Sequence, residues 1–212
     1  MNNFFSPTKV GTLNGIKKHR RVINPKECQN DLNDILGDLF AAFHKAVKTF
    51  NSEVANTPVE YRARCMEATL FNSKLLQCLG ETFGADLKRG KYSRRFLYQN
   101  GYIILLKKLD GNGMPMNIKT KLSSSIANQQ EGNLFNTEED GTSPILFFGY
   151  SKTKFGEIRN PRLVYVDEEK VKWVITEDMI VEKKLDNPEV FPHNRTGIVA
   201  VKASAKRKYN TV

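Results

Sequence analysis

Five basic side chains fall within eight residues of one another, Lys88, Arg89, Lys91, Arg94 and Arg95, with Tyr92, Phe96 and Tyr98 set among them. Cations at this density suit a polyanion. Lysine and arginine neutralise phosphates and release condensed counterions, and a tyrosine exposed among them offers a ring on which an unpaired base can stack. A hairpin centred on Asn100-Gly101 sets Arg94 and Arg95 roughly opposite Lys107 and Lys108, and a returning chain adds Lys119 and Lys121. Like charges gathered at one end of a hairpin repel, so an anionic partner there relieves a cost. No RNP or zinc-finger spacing accompanies the cluster, and the same pattern also describes solvated strand ends with tyrosines in the core.

Phosphodiester hydrolysis is a second chemistry within reach of this composition. Glu168-Glu169-Lys170 is an acid-x-Lys element just after an apolar strand, Glu182-Lys183-Lys184 repeats it, and Asp110, Glu157 or Asp167 can supply a further carboxylate. Such a site holds a divalent metal on carboxylates and sets a lysine near the attacking water. Residues 167–170 read equally well as an exposed hairpin turn, so Glu168, Lys170 and Glu182 are weak catalytic candidates. His19, His44 and His193 stand far apart and near no cysteine at ligand spacing, so neither a zinc site nor any other metal or cofactor is expected, and His44 reads as a partly buried structural histidine. Gly111-Asn112-Gly113 lacks the Lys-Ser/Thr of a phosphate loop and reads as a turn. Ser151-Lys152-Thr153-Lys154 with Gly156, Glu157 and Arg159 can line an anion pocket, or simply form a loop.

The elements that must position these residues are legible from periodicity. Asn100-Gly101 suits a type I′ turn, and Tyr102-Ile103-Ile104-Leu105-Leu106 is apolar on both faces, which places this hairpin centrally in a sheet covered on each side. Asn24-Pro25 starts a helix whose stripe runs through Leu32, Ile35, Leu36, Leu39, Phe40, Phe43, Val47 and Phe50. Thr57-Pro58-Val59-Glu60 reads as a capping box for a second helix that buries Cys65, Met66, Leu70, Leu75, Leu76, Leu79 and Phe83 and ends at Gly84. Residues 85–93 then form a basic connection, 114–118 a returning edge strand, 122–130 a short helix and 131–143 an acidic loop. Strands follow at 145–148, 162–166 and 171–175, the last with Val171, Trp173 and Ile175 on one face, and a final strand at 197–201.

The chain has 212 residues and a net charge of +10. That excess is local: residues 86–121 carry nine basic and two acidic side chains, while 122–143 carry four acids and no base. The field draws phosphate polymers or acidic surfaces. No apolar run is long enough to span a bilayer, and the start lacks a secretory pattern, so a cytoplasmic protein without membrane contact is expected, although residues 1–21 share the acid-free composition of an organellar transit peptide. Cys28, Cys65 and Cys78 form no C-x-x-C pair and read as buried, reduced thiols.

These readings give an α+β fold: a flexible basic arm at 1–23, a single domain at 24–201 with a helical hairpin (24–84) packed on a mainly antiparallel sheet of five to seven strands (94–201), and a basic tail at 202–212. The function expected is non-enzymatic nucleic-acid binding, to DNA or RNA, through Lys88, Arg89, Lys91, Tyr92, Arg94, Arg95, Tyr98, Lys107, Lys108, Lys119 and Lys121. A protein partner is the alternative, as a docking regulator or inhibitor of a bacterial or phage enzyme, that source being assumed from size and lack of motifs. A metal-dependent nuclease comes third.

Overall fold

The computed structural model describes residues 22, 24–130, 135 and 143–180. Most of the basic arm and acidic loop, Glu182, His19, His193, the strand expected at 197–201 and the tail lie outside the described residues. Within them six strands form one sheet in chain order: β1 (Leu87–Arg89), β2 (Arg95–Gln99), β3 (Tyr102–Lys108), β4 (Ile145–Lys152), β5 (Ile158–Asp167) and β6 (Lys170–Thr176). All neighbours are antiparallel except β3 and β4, which run parallel from Ile103 opposite Ile145 to Lys108 opposite Tyr150. A parallel pair needs a crossover, supplied by residues 109–144, which carry the helix α4 (Lys121–Ala127). The N-terminal helices α1 (Pro25–Asp31), α2 (Asn33–Val54) and α3 (Met66–Phe83) precede the sheet, so the class is α+β.

Both faces of the sheet are covered, which is why the strands read as continuous apolar runs. On one face Leu97, Ile104, Leu146, Phe148, Leu163 and Tyr165 meet Leu36, Leu39, Phe40, Phe43, Phe71 and Leu75 of α2 and α3. Edge-to-face rings join the layers, with Phe40 at 5.4 Å and Phe43 at 6.1 Å from Phe148. On the other face Phe96, Ile103, Leu105, Ile145, Phe147 and Val164 pack beneath Ile126 of α4, Leu109 and Phe135. Asn100 and Gly101, at φ 49° and 79°, make the expected turn between β2 and β3.

Several elements differ from the sequence reading, each for a reason visible in the contacts. The first helix is broken at Leu32, at ψ 8°, after the Asn24 side chain caps its start. The break leaves the Asp31 carbonyl for Asn100 Nδ2 at 2.6 Å, and the Asp31 carboxylate accepts from the Tyr102 hydroxyl at 2.6 Å, so the helix end holds the hairpin turn. The second helix begins at Met66 and not after Thr57. Pro58 is extended at ψ 147°, and Arg62 donates to the carbonyls of Thr57 (2.9 Å) and Val54 (3.0 Å) while pairing with Glu67, so residues 55–65 close α2 and link it to α3. Cys65 in that link is exposed, unlike Cys28 and Cys78. Val22, assigned to the arm, is buried, donating to the Tyr165 hydroxyl at 3.2 Å and accepting from Trp173 Nε1 at 2.9 Å.

Residues 114–118 do not return as a strand, making only a bridge from Leu109 to Pro115. The free side of β3 is occupied by β4, and Leu109 crosses the sheet over Gly149, where a Cβ would clash with Leu109 Cγ and approach the Lys107 carbonyl to 2.6 Å. The residues expected as a plain connection include β1, a strand of three residues that is too short to show alternation. In β6 a bulge between Tyr165 and Val166 of the partner strand takes Val171 to the α4 face, away from Trp173 and Ile175.

Candidate nucleic-acid interface

Alternation along β1 and β2 divides the basic cluster between the faces of one sheet edge. Arg89 lies opposite Arg95, and Lys88 opposite Phe96. Lys88 therefore turns to the α4 face, where its ammonium stands 4.5 Å from the centroid of the Tyr98 ring. Tyr98 is half-buried against the core beneath α4. Of the two tyrosines expected to stack, Tyr92 is the accessible one, 86% exposed at the tip of the turn between β1 and β2.

That turn is tightly held. The amide of Gly90 donates to the Arg94 carbonyl at 2.8 Å, the amide of Arg94 to the Lys91 carbonyl at 3.2 Å, and Arg89 Nη2 to Ser93 Oγ at 2.5 Å. Tyr92 and Ser93 both adopt left-handed backbone conformations, at φ 56° and 58°. Lys91 projects beside them and is exposed.

Behind the turn, Ser93, Arg94, Arg95 and Lys107 surround a cavity of about 230 Å³ with Asn72 and Leu76 of α3 on its far side. The register of β2 on β3, Leu97 opposite Ile104, runs on toward Arg94 and Lys107 and so brings them together. Lys107 is half-buried, and burial, with Arg94 beside it, pushes its ammonium below the ordinary lysine range. No ion pair reaches Arg94, Arg95 or Lys107 among the described residues, whereas Lys45, Lys74, Lys152 and Lys172 each have a glutamate. A second cavity of about 510 Å³ shares Leu76 and Arg95 with the first and continues along α3 to Gly84 and Leu87. A groove with an apolar floor and a cationic end therefore runs between α3 and the strand edge.

Other candidates fall elsewhere. Lys108 is exposed at the end of β3, and alternation turns it away from Lys107. Lys121 is exposed in the first turn of α4, and Lys119 lines a separate cavity of about 640 Å³ with Asp110, Met114, Met116, Ile118 and Glu169. Asp110 serves its own turn, its Oδ1 accepting from the amides of Asn112 (2.9 Å) and Met114 (2.8 Å). Glu168 and Glu169 fill the β5–β6 turn at φ 53° and 55°, Glu168 pairs with Lys172 at 2.6 Å, and Lys170 is exposed. Among the described residues, no three His, Cys, Asp or Glu side chains are grouped to hold a metal. His44 is exposed and meets Glu177 at 2.8 Å, against the expectation of partial burial. The loop at 153–157 is closed on itself by Thr153, while Lys152 binds Glu67 at 2.5 Å.

Sequence reasoning missed Asn72, Ser93 and Leu76. Asn72 interrupts the apolar run of α3 on a face that turns to the strand edge, and nothing in the sequence ties that face to residue 107. Among the described residues no helix is long and apolar enough to cross a membrane. Compared with known proteins, the chain matches no family model, no curated protein and no solved structure.

Proposed function

We propose that the protein binds nucleic acid through phosphate contacts, without catalysing a reaction, at the edge formed by β1, β2 and the end of β3. One observation carries the reading: Arg94, Arg95 and Lys107 line a single cavity, and among the described residues no carboxylate pairs with any of them. Holding a partly buried ammonium beside a guanidinium is unfavourable in the free protein, and a phosphate entering the cavity replaces that repulsion with charge-assisted hydrogen bonds. Arg89, Lys91 and Lys88 extend the positive edge along the turn and β1 for neighbouring phosphates. Charge reversal of Arg94 and Arg95 tests the assignment, because both side chains lie outside the core. Loss of binding by a folded double variant is expected, and unchanged affinity eliminates this edge.

A protein-docking role is the second reading, favoured by the cavity beside α4. Met116 is 53% and Ile118 88% exposed at its margin. A partner engaged there forms a complex that survives moderate salt and is indifferent to Arg94 and Arg95. Hydrolysis is tested by adding Mg²⁺ or Mn²⁺ to the binding mixture and by Glu168→Ala and Glu182→Ala.

A further inference from the structure

Tyr92 combines exposure, backbone conformation and position in a way that singles it out among the aromatic residues of the cluster. Its ring is 86% exposed and belongs to neither core cluster, so packing does not account for its position. Its backbone and that of Ser93 are both left-handed, an unfavourable state for residues with a Cβ, yet three hydrogen bonds across residues 89–94 impose it. Tyr92 also adjoins Ser93, which lines the cationic cavity, and stands two residues before Arg94, which lines it too. An exposed aromatic ring on a held turn next to a cationic cavity can meet a nucleotide at two points, its base and its phosphate.

We propose that this edge takes single-stranded nucleic acid, with one base stacked on Tyr92 and an adjoining phosphate in the cavity of Arg94, Arg95 and Lys107. This rests on the nucleic-acid reading above and specifies its ligand. In a duplex each base is covered on both faces by its neighbours, and a side chain on a surface turn gains no π-face without unstacking one. In a single strand that face is free, and stacking is tolerant of sequence because every base has one. The groove continuing from Arg95 along α3 gives the strand a path with Leu76 and Leu87 on its floor. Tyr98, half-buried beneath Lys88, takes no part in stacking.

The test uses the full chain and fluorescence anisotropy with a labelled mixed-sequence oligonucleotide, alone and annealed to its complement, at one fixed salt concentration. Tyr92→Leu keeps an apolar side chain of similar exposure but removes the ring, and Tyr92→Phe keeps the ring without the hydroxyl. Wild type is expected to prefer the single strand. Tyr92→Leu should weaken single-strand binding by roughly 5- to 150-fold, the range for one stacked base, with duplex affinity unchanged and Tyr92→Phe close to wild type. Equal binding of both ligands by wild type, or an unaltered Tyr92→Leu, overturns the inference while leaving phosphate binding intact. Arg94→Glu with Arg95→Glu separates the two ideas: loss of both ligands supports the underlying cationic site. Binding of neither ligand by wild type overturns both.

Discussion

Lys107→Met should make the free protein more stable and its nucleic-acid complex weaker, a pairing expected only of a charge held for a ligand. Lys107 stands near the end of β3 and lines the cavity, and it is half-buried beside Arg94 with no ion-pair partner among the described residues. Methionine retains most of the apolar stem and removes the charge. Relief of the like-charge contact, discounted for the solvent that still reaches Arg94, is of order 1 kcal/mol. For a chain of this size that corresponds to a rise in Tm of about 2–4 °C. The sign also appears in pH dependence. Because the folded-state pKa of Lys107 lies below its unfolded value, the unfolded chain binds more protons between the two, and stability climbs as pH rises through that window at the low edge of the lysine range. In Lys107→Met that climb should be absent. Thermal melts followed by circular dichroism across alkaline pH measure both effects, and the slope of log affinity against log salt should flatten by about 1 for the lost phosphate contact. A lower Tm together with an unchanged salt slope would show Lys107 to be an ordinary packing residue.

Three further outcomes test the frame around the site. Gln129 is buried at φ 54°, and its side-chain amide donates to the carbonyls of Ile145 and Val166 and accepts from the amide of Ile145, each at 2.8 Å. Gln129→Ala strands three buried groups and should cost about 3 kcal/mol or more in denaturant unfolding; a loss below about 1 kcal/mol would mean that the crossover is not clamped there. Gly149→Ala should destabilise strongly or prevent folding, because the new methyl occupies the path of Leu109 and the Lys107 carbonyl, and a wild-type melt would contradict the crossing. Hydrogen bonding from Lys152, with Arg62 nearby, holds the Glu67 carboxyl below its usual range, so its contribution is full above the ordinary carboxylate value and is lost as pH falls through the folded one. Glu67→Gln should cost about 1 kcal/mol at neutral pH and progressively less on acidification, as read from denaturant midpoints across that interval.

The sequence is informative where a residue's neighbours in the chain are also its neighbours in the fold. Asn24-Pro25, the stripe from Leu36 to Phe50, Asn100-Gly101 and the doubly apolar β3 are such cases, and together they indicate helices before a covered sheet. What they leave open depends on contacts made at a distance. Nothing local in residues 114–118 reveals that β4 takes the free side of β3, since the pairing of Ile103 with Ile145 spans the whole crossover. Thr57-Pro58-Val59-Glu60 resembles a helix start, but Arg62 uses the carbonyls there to finish the preceding helix. The site shows the same division. The density of cations around Tyr92 is visible in sequence, whereas the recruitment of Lys107 to Arg94 and the separation of Lys119 into another cavity depend on strand register and on the crossing at Gly149. Tyr92 and Tyr98 look alike in the sequence, but the first falls in the turn between β1 and β2 and the second on β2 facing the α4 side, which gives them different environments.

The central claim is that the cationic edge holds phosphate, and a salt-titrated binding assay against single- and double-stranded DNA and RNA tests it most directly. With six or more phosphate contacts, affinity should fall by roughly 10³ or more between about 50 and 200 mM salt, and Arg94→Glu with Arg95→Glu should abolish it in a protein that still melts cooperatively. Affinity indifferent to salt, or retained in full by the double variant, would contradict the account.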